Sequence, residues 1–309
     1  MNQIGWPEWE SYAAAPLYGV ELAPGVDAAA PGLVFGYPDF ETWSLIEKTG
    51  ITRGSRVVQA YWSRPPVYAV VQLQPRSEPA RTERELLEAP KRELDDLVLA
   101  LRLVASGPLA DPMLTGIYLR DGLHNVREIG MYREHFMGRE FDPPYRLDAS
   151  GQALVEAWIG RLRRLRDMPH AARAASLGRQ LRHALPSPIT FGEKRFSDPR
   201  FRITGAFTVL ESIFGRAYEV RAGRAFAERV DAAVGGDGEV ARVVESQIIP
   251  VRDRLLHGSG AGLEVSPSLL DQVVDICRRC VASFLEFLAE HPTDTSAEAE
   301  DAFNTRGAQ

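Results

Sequence analysis

Ser266 to Glu290 reads SPSLLDQVVDICRRCVASFLEFLAE, and this stretch decides the fold class of the C-terminal half. Its apolar residues recur at intervals of three and four, which is the spacing of one buried helix face. Ser266 followed by Pro267 is typical of a helix start. The stretch therefore predicts a long helix over 267–290.

The only two cysteines of the chain, Cys277 and Cys280, lie within this apolar stripe. Their spacing allows a redox pair or half of a zinc site as one interpretation. A structural zinc site needs four ligands, and the chain has no second cysteine pair to complete it. We therefore predict that both thiols pack in the core, and we expect no metal and no cofactor.

Helical patterns continue upstream of this stretch as far as Asp148. Apolar spacing together with Pro and Gly punctuation predicts helices over 148–168, 171–185, 198–215, 219–234 and 240–257. The last of these contains a stripe of Val and Ile residues, and Pro250 interrupts it, which predicts either a kink or the start of a second short helix.

Residues 1–145 have a different character. Runs rich in Val, Tyr and Phe at 33–35, 56–62, 67–73 and 115–119 predict strands, and 82–105 predicts a helix that is kinked or restarted at Pro90. The fold class is therefore α+β: a mixed α/β domain with a small sheet over 1–145, an all-α bundle over 146–291, and a disordered tail over 292–309. His124 and His135 lack metal-ligand spacing to each other, so we assign them no chemistry.

Composition limits the possible functions. The chain has 309 residues with 45% hydrophobic and 25% charged residues, which is ordinary for a protein with a packed core. Its net charge of −6 argues against a protein that coats nucleic acid through its overall charge. Only three of the 36 basic residues are Lys. Contacts with RNA would therefore be local and made by Arg. No signal peptide or membrane span is predicted, so we expect a cytoplasmic location.

The segment RDRLLHG, from Arg252 to Gly258, carries the candidate chemistry. An Arg followed four to six residues later by His is expected roughly twice by chance in this composition, so the context has to decide. On a straight helix Arg252 and His257 lie about 140° apart, on either side of the face turned away from the Val/Ile stripe. We predict that both point away from their own bundle, with Leu256 between them as an apolar residue that another helix or another subunit covers.

RNA cleavage without a metal requires a base for the 2′-hydroxyl, an acid for the leaving oxygen and cations for the phosphorane. Two copies packed through the outward face would supply two Arg252/His257 pairs in one cleft. Asp253, four residues before His257, is predicted to hold one imidazole nitrogen. Glu211, at the margin of the stripe over 198–215, can either reach a neighbouring helix or stay in water. The alternative for Arg252 and His257 is a plain cap at a helix C-terminus.

The stretch ESQIIPVRDRLLHG over 245–258, with FTVLESI over 207–213 before it, resembles the HEPN superfamily, specifically its ApeA-like branch. The resemblance covers 148–291 and implies a HEPN-like helical bundle that forms a homodimer with a composite, metal-independent ribonuclease site. It implies that Arg252, Asp253 and His257 are the motif residues and that Glu211 is the acidic residue of the preceding helix. The family usually has an aromatic residue three positions before the Arg and a Ser directly after it. This segment has Ile249 and Asp253 at those positions.

The resemblance further implies an RNA substrate and a role in phage defence or as a toxin, with an antitoxin or defence protein as partner. Residues 1–145 would then be a sensor or a brake, and equal ribonuclease activity of the full chain and of residues 146–309 would argue against that. A catalytically inactive HEPN-like scaffold that binds a nucleotide, RNA or a protein is the second interpretation. An accessory subunit of a separate nucleotidyltransferase is the third.

Overall fold

The computed structural model describes residues 11–17, 20–24, 26, 28–30, 32–36, 67–72, 83–104, 116–119, 145–184, 199–215, 222–257, 264–292 and 294–305. The described residues up to Gly160 form one compact unit, and those from Arg161 onward form another. The strand predicted at 56–62 and the histidines His124 and His135 lie outside the described residues.

The first unit contains two small sheets. Its strands are β1 (Ser11–Leu17), β2 (Val20–Leu22), β3 (Ala28–Ala30), β4 (Leu33–Gly36), β5 (Val67–Gln72), β6 (Gly116–Leu119) and β7 (Tyr145–Leu147). Five of them form a sheet in the order β3-β4-β5-β1-β6, in which every neighbouring pair is antiparallel. β2 pairs with β7 in parallel. The strands predicted at 33–35, 67–73 and 115–119 are confirmed as β4, β5 and β6.

Helix α1 (Glu83–Val104) belongs to the same unit and runs through Pro90 as one helix. Every residue from Leu97 to Leu103 is buried, including Arg102. The C-terminal part of α1 therefore lies in the interior of its unit, whereas Lys91, Arg92 and Asp95 nearer its start are exposed.

The division between the units falls inside α2 (Ala149–Arg166) and not at the predicted boundary of 145/146. The first turns of α2 contribute Val155, Trp158 and Ile159 to the buried residues of the first unit. β7, at the predicted boundary, pairs with β2 of the same unit. Hydrophobic periodicity marks where a helix begins but does not show which unit that helix packs against.

The second unit is helical. Besides the end of α2, its helices are α3 (Ala171–Ala184), α4 (Pro199–Phe214), α5 (Ala222–Ala233), α6 (Glu239–Val243), α7 (Ile249–Leu256), α8 (Pro267–Glu290) and α9 (Ser296–Thr305), with a π-helical segment (Val244–Ile248) between α6 and α7. The helix predicted over 267–290 is confirmed as α8, and Ser266 accepts a hydrogen bond from the Leu269 backbone N–H at 3.2 Å. Both cysteines are buried in its core face, as predicted. The described part of the chain contains both helices and strands and is mostly helical.

The prediction of a disordered tail over 292–309 is wrong for its described part, where α9 forms. Phe303 is buried, with its ring centroid 5.0 Å from that of Phe284 and 5.9 Å from that of Phe214. Thr295 and Glu298 exchange hydrogen bonds at the helix start, in the pattern of a capping box. The acidic, Ala-rich composition favoured disorder, but buried Phe303 and the Thr295–Glu298 hydrogen bonds stabilise this helix.

Helix α4 lies at the centre of this unit and packs most extensively against α3 and α8. Its last turn is capped by side chains from three other helices. Arg173 donates to the Ser212 carbonyl, Asn304 donates to the Ile213 carbonyl at 3.0 Å, and Arg229 donates to the Phe214 carbonyl at 2.6 Å. Helix ends otherwise leave these carbonyls without a partner. The C-terminal turn of α4, which carries Glu211, is therefore fixed from several sides.

In the described part of the chain, no helix is both long enough and apolar enough to cross a membrane.

Candidate active site

The helical segment that carries the Arg-to-His motif begins with α6, and a buried carboxylate on α5 stabilises that start. Asp231, at the end of α5, accepts hydrogen bonds from the backbone N–H of Gly238 at 3.0 Å and of Ala241 at 3.1 Å. These bonds satisfy free donors at the start of α6. The helix then continues through the π-helical segment into α7 with right-handed helical backbone angles at both junctions.

The π-helical segment has a local cause in the sequence. Pro250 cannot donate a backbone hydrogen bond, and its ring would clash with the carbonyl four residues earlier, at Ser246. A π-helical turn widens the helix at this place and inserts one extra residue, which rotates everything downstream by about 100° relative to a regular α-helix. The backbone therefore stays helical across Pro250, with a π-helical segment before it and α7 beginning at Ile249.

The prediction that Arg252 points away from its own bundle is wrong. Val244, Ile248 and Arg252 are buried at intervals of four, whereas Val251 and Leu255 are only partly covered. The inserted residue explains the difference, because the prediction assumed a straight helix with 3.6 residues per turn. Arg252 therefore faces α4.

Arg252 is held by three groups. Its Nη2 donates to Glu211 Oε1 at 2.7 Å, and its Nη1 donates to Asp253 Oδ1 at 2.8 Å. Its guanidinium carbon lies 5.0 Å from the centroid of the Phe207 ring. The Arg252 side chain is 8% exposed, against 21% for Glu211 and 46% for Asp253. Charge-assisted hydrogen bonds of this kind, with an aromatic face beside the cation, tie α7 to α4.

Sequence reasoning left two outcomes open for Glu211, and the structure shows the one in which it reaches a neighbouring helix, through an ion pair with Arg252. The expectation that Asp253 holds the His257 imidazole is not met, because Asp253 pairs with Arg252 instead. Arg252 directly precedes Asp253 in the chain, and the permanent charge of its guanidinium makes the hydrogen bond to the carboxylate a strong one.

His257 lies at the end of α7 and is exposed. Its backbone N–H donates to the Asp253 carbonyl at 3.0 Å, so its main chain is fixed to the last turn. Leu256 beside it is 52% exposed, in line with the predicted apolar residue on an uncovered face. Of the four predicted site residues, the structure brings Glu211, Arg252 and Asp253 together and leaves the His257 ring at the surface.

The charges of the cluster do not balance. One guanidinium meets two carboxylates, so Arg252, Glu211 and Asp253 together carry a net negative charge. A phosphate that approaches this cluster meets repulsion unless a further cation accompanies it.

Sequence reasoning missed the role of Phe207, which entered it as the first residue of the stretch FTVLESI. The ring stacks on Phe226 with 5.3 Å between centroids, and it lies against the Arg252 guanidinium. The signal was present in the spacing, because Phe207 and Glu211 are four residues apart and share one face of α4. Among the described residues, no group of three His, Cys, Asp or Glu side chains is arranged to hold a metal ion.

Comparison of the chain with protein-family models, with curated proteins and with solved structures gives no match.

Proposed function

We propose that the C-terminal helical unit is a HEPN-type, metal-independent endoribonuclease whose active site is completed when two copies of the chain pack together. The observation that carries the proposal is the Glu211–Arg252 ion pair of 2.7 Å. It joins the two segments on which the HEPN resemblance rests, and the helix that carries Arg252 ends at an exposed histidine, His257.

His257 is the proton-transfer group in this proposal. In one copy the neutral imidazole takes the proton of the ribose 2′-hydroxyl, and the 2′-oxygen attacks phosphorus. In the other copy the protonated imidazole gives its proton to the leaving 5′-oxygen as the P–O bond breaks. The products are a 2′,3′-cyclic phosphate and a 5′-hydroxyl, and the two imidazoles have exchanged protonation states.

The exposure of Leu256 supports the proposal that a second copy of the chain packs against this end of α7. A half-exposed leucine next to the proposed proton-transfer group gives the end of α7 an apolar contact that a partner can bury. Two such ends related by a two-fold axis place each Leu256 and each His257 near its counterpart. The homodimer is thus part of the proposal, with RNA as its substrate.

Arg252 has a different role from the one that the bare motif implies. With both nitrogens engaged by carboxylates, it first positions α7, and through α7 it positions His257. Asp253 is the more exposed of the two carboxylates, and it is therefore the partner that a phosphate oxygen can displace at lower desolvation cost. Glu211 then keeps the guanidinium in place during the exchange.

The test is cleavage of RNA by the purified full chain in EDTA, with His257→Gln as the variant. Parent activity with 2′,3′-cyclic phosphate ends and its loss in His257→Gln are expected, because glutamine cannot exchange a proton near neutral pH. His291→Gln is the matched control, because His291 also lies at the C-terminal end of an α-helix, α8. Equal loss of activity in both variants would contradict a specific role for His257.

A second function is favoured by the burial of Arg252. A guanidinium that is 8% exposed and already paired twice is what a catalytically inactive HEPN-like scaffold would retain for stability alone. Absence of cleavage by the parent on structured and unstructured RNA, with RNA or nucleotide binding intact, would favour this scaffold over the nuclease.

The resemblance extends the proposal to the cell, as a growth-arresting toxin or phage-defence protein with an antitoxin or another defence protein as partner. Induced expression of the parent should then stop growth, and expression of His257→Gln to the same level should not. Arrest by both proteins would separate the cellular effect from RNA cleavage.

A further inference from the structure

The first turn of α4 carries an exposed aromatic side chain, Phe201, and directly after it in the chain Arg202, whose Nε has no hydrogen-bond partner in the described part of the chain. Phe201 is 49% exposed, which makes it one of three large apolar side chains that are exposed among the described residues. Arg202 follows it in the chain and is partly buried. Neither residue belongs to the cluster around Arg252.

Arg202 is incompletely satisfied. Its Nε is buried and has no hydrogen-bond partner. Burial lowers the pKa of its guanidinium, and the charge of Asp271 on α8 opposes that shift. In the described part of the chain, no salt bridge closes between Arg202 and a carboxylate. A buried donor without an acceptor costs free energy, so the fold does not gain stability from this arrangement.

Because Nε is buried, a ligand from solvent meets the Nη atoms of this guanidinium and not its Nε. A guanidinium matches the paired oxygens of a phosphate or carboxylate better than an ammonium does. An exposed aromatic ring next to such a cation adds a platform on which a nucleic-acid base can stack. The two features together fit a single strand of RNA, whose phosphate and base are displayed side by side.

We propose that Phe201 and Arg202 form a binding subsite for single-stranded RNA, in which Arg202 holds a phosphate and Phe201 stacks on a neighbouring base. The inference rests on the proposed function, because it names how the same RNA is held away from the cleavage point. Phe201 and Glu211 lie ten positions apart on α4, about 15 Å along the helix axis, which is a span of a few nucleotides. The negative charge of Asp271, which acts on Arg202, would repel the bound phosphate in part.

The experiment measures binding of a fluorescein-labelled oligouridine by fluorescence anisotropy over a range of salt concentrations. All proteins carry His257→Gln so that the RNA stays intact. Arg202→Met should reduce the slope of log K against log salt by about 0.7, the value for one phosphate contact on a single strand. Phe201→Ala should weaken binding by about fivefold or more and leave the slope unchanged. Arg179→Gln, an exposed arginine on α3, is the control and should change neither quantity.

Thermal unfolding separates this role from a structural one. Because the Arg202 guanidinium is partly desolvated and lacks an acceptor, Arg202→Met should unfold at the same temperature as the parent or higher. A marked decrease of the unfolding temperature with an unchanged salt slope would make Arg202 a structural residue and overturn the inference.

The remaining outcomes are equally clear. An unchanged slope in Arg202→Met, or no binding of RNA at all, overturns the subsite. If the protein with native His257 cleaves RNA while the slope is unchanged, the subsite fails and the nuclease stands. If RNA binds through Arg202 without cleavage by the parent, the nuclease fails and the subsite stands. If Phe201→Ala dissociates a dimer without affecting RNA binding, the ring belongs to a protein contact.

Discussion

Removal of the Glu211 carboxylate tests the tie between α4 and α7 directly. With 2.7 Å between Glu211 Oε1 and Arg252 Nη2, the charge centres are about 4 Å apart, and their attraction is about 4 kcal/mol at an effective dielectric constant near 20. The Glu211 side chain is 21% exposed, so hydration of the guanidinium offsets part of the lost attraction in the variant. Glutamine also retains a hydrogen bond to the guanidinium. We expect Glu211→Gln to destabilise α7 by about 2 kcal/mol.

Hydrogen exchange followed by mass spectrometry is the appropriate assay, because a protein with two compact units need not unfold in one step. A local loss of about 2 kcal/mol makes amide exchange about 30-fold faster. The peptide that covers 239–256 should show this acceleration, and the peptide that covers α1, in the other unit, serves as the internal reference. Glu228→Gln, which removes an exposed partner of Arg224, should change exchange in α7 by less than about twofold.

A double-mutant cycle completes the test. Arg252→Met leaves Glu211 without its partner and should accelerate exchange by a similar factor, whereas the double variant should be less affected than the product of the two single effects predicts. Strictly multiplicative effects would show that the two side chains do not interact, and the tie between α4 and α7 would be refuted.

Three further predictions concern the frame around the site. Asn304→Ala leaves the Ile213 carbonyl without its side-chain donor and should destabilise the second unit by about 1 kcal/mol. Hydrogen exchange in α4 and α9 measures the effect. Asn304→Asp is the second variant, because it keeps the size of the side chain but loses the N–H donor. Asp231→Ala removes the acceptor of two backbone N–H groups and should cost about 2 kcal/mol, seen as faster exchange in α6; no acceleration there would show that water replaces the carboxylate. Burial raises the pKa of the Cys277 and Cys280 thiols, so both stay protonated in the folded protein above the pH at which unfolded thiols ionise. Stability should therefore fall as the pH rises above about 8.5, by at most about 1.4 kcal/mol per thiol per pH unit, and serine substitutions at both positions should remove that slope in urea titrations.

The sequence predicts the helices of the second unit well because their apolar stripes are long. The limits of α8 agree with its prediction because Ser266, Pro267 and a regular stripe specify the start and the buried face. The strands of the first unit were predicted only where Val, Tyr and Phe cluster. β1 (Ser11–Leu17) was missed, because its sequence SYAAAPL has few β-branched or large apolar residues, and pairing with β5 and β6 is what makes it a strand.

Glu211 shows how far sequence reasoning reaches into the site. Its position at the edge of a stripe left two outcomes open, and the choice between them depended on which residue of α7 faced it. That residue is Arg252, which no pattern within α4 could indicate. Contacts between helices that are distant in sequence depend on packing angles and phase, and a single sequence specifies neither directly.

The phase of α7 is the physical reason why one motif has two different environments. A regular helix would place Arg252 and His257 on either side of one outward face. The π-helical segment over Val244–Ile248 inserts a residue next to Pro250 and turns Arg252 inward, where Glu211 and the Phe207 ring hold it. His257 lies where the helix ends, so it stays exposed. The arginine is therefore the fixed part of the candidate site and the histidine its accessible part, which is why the proposed proton transfer is assigned to the histidine.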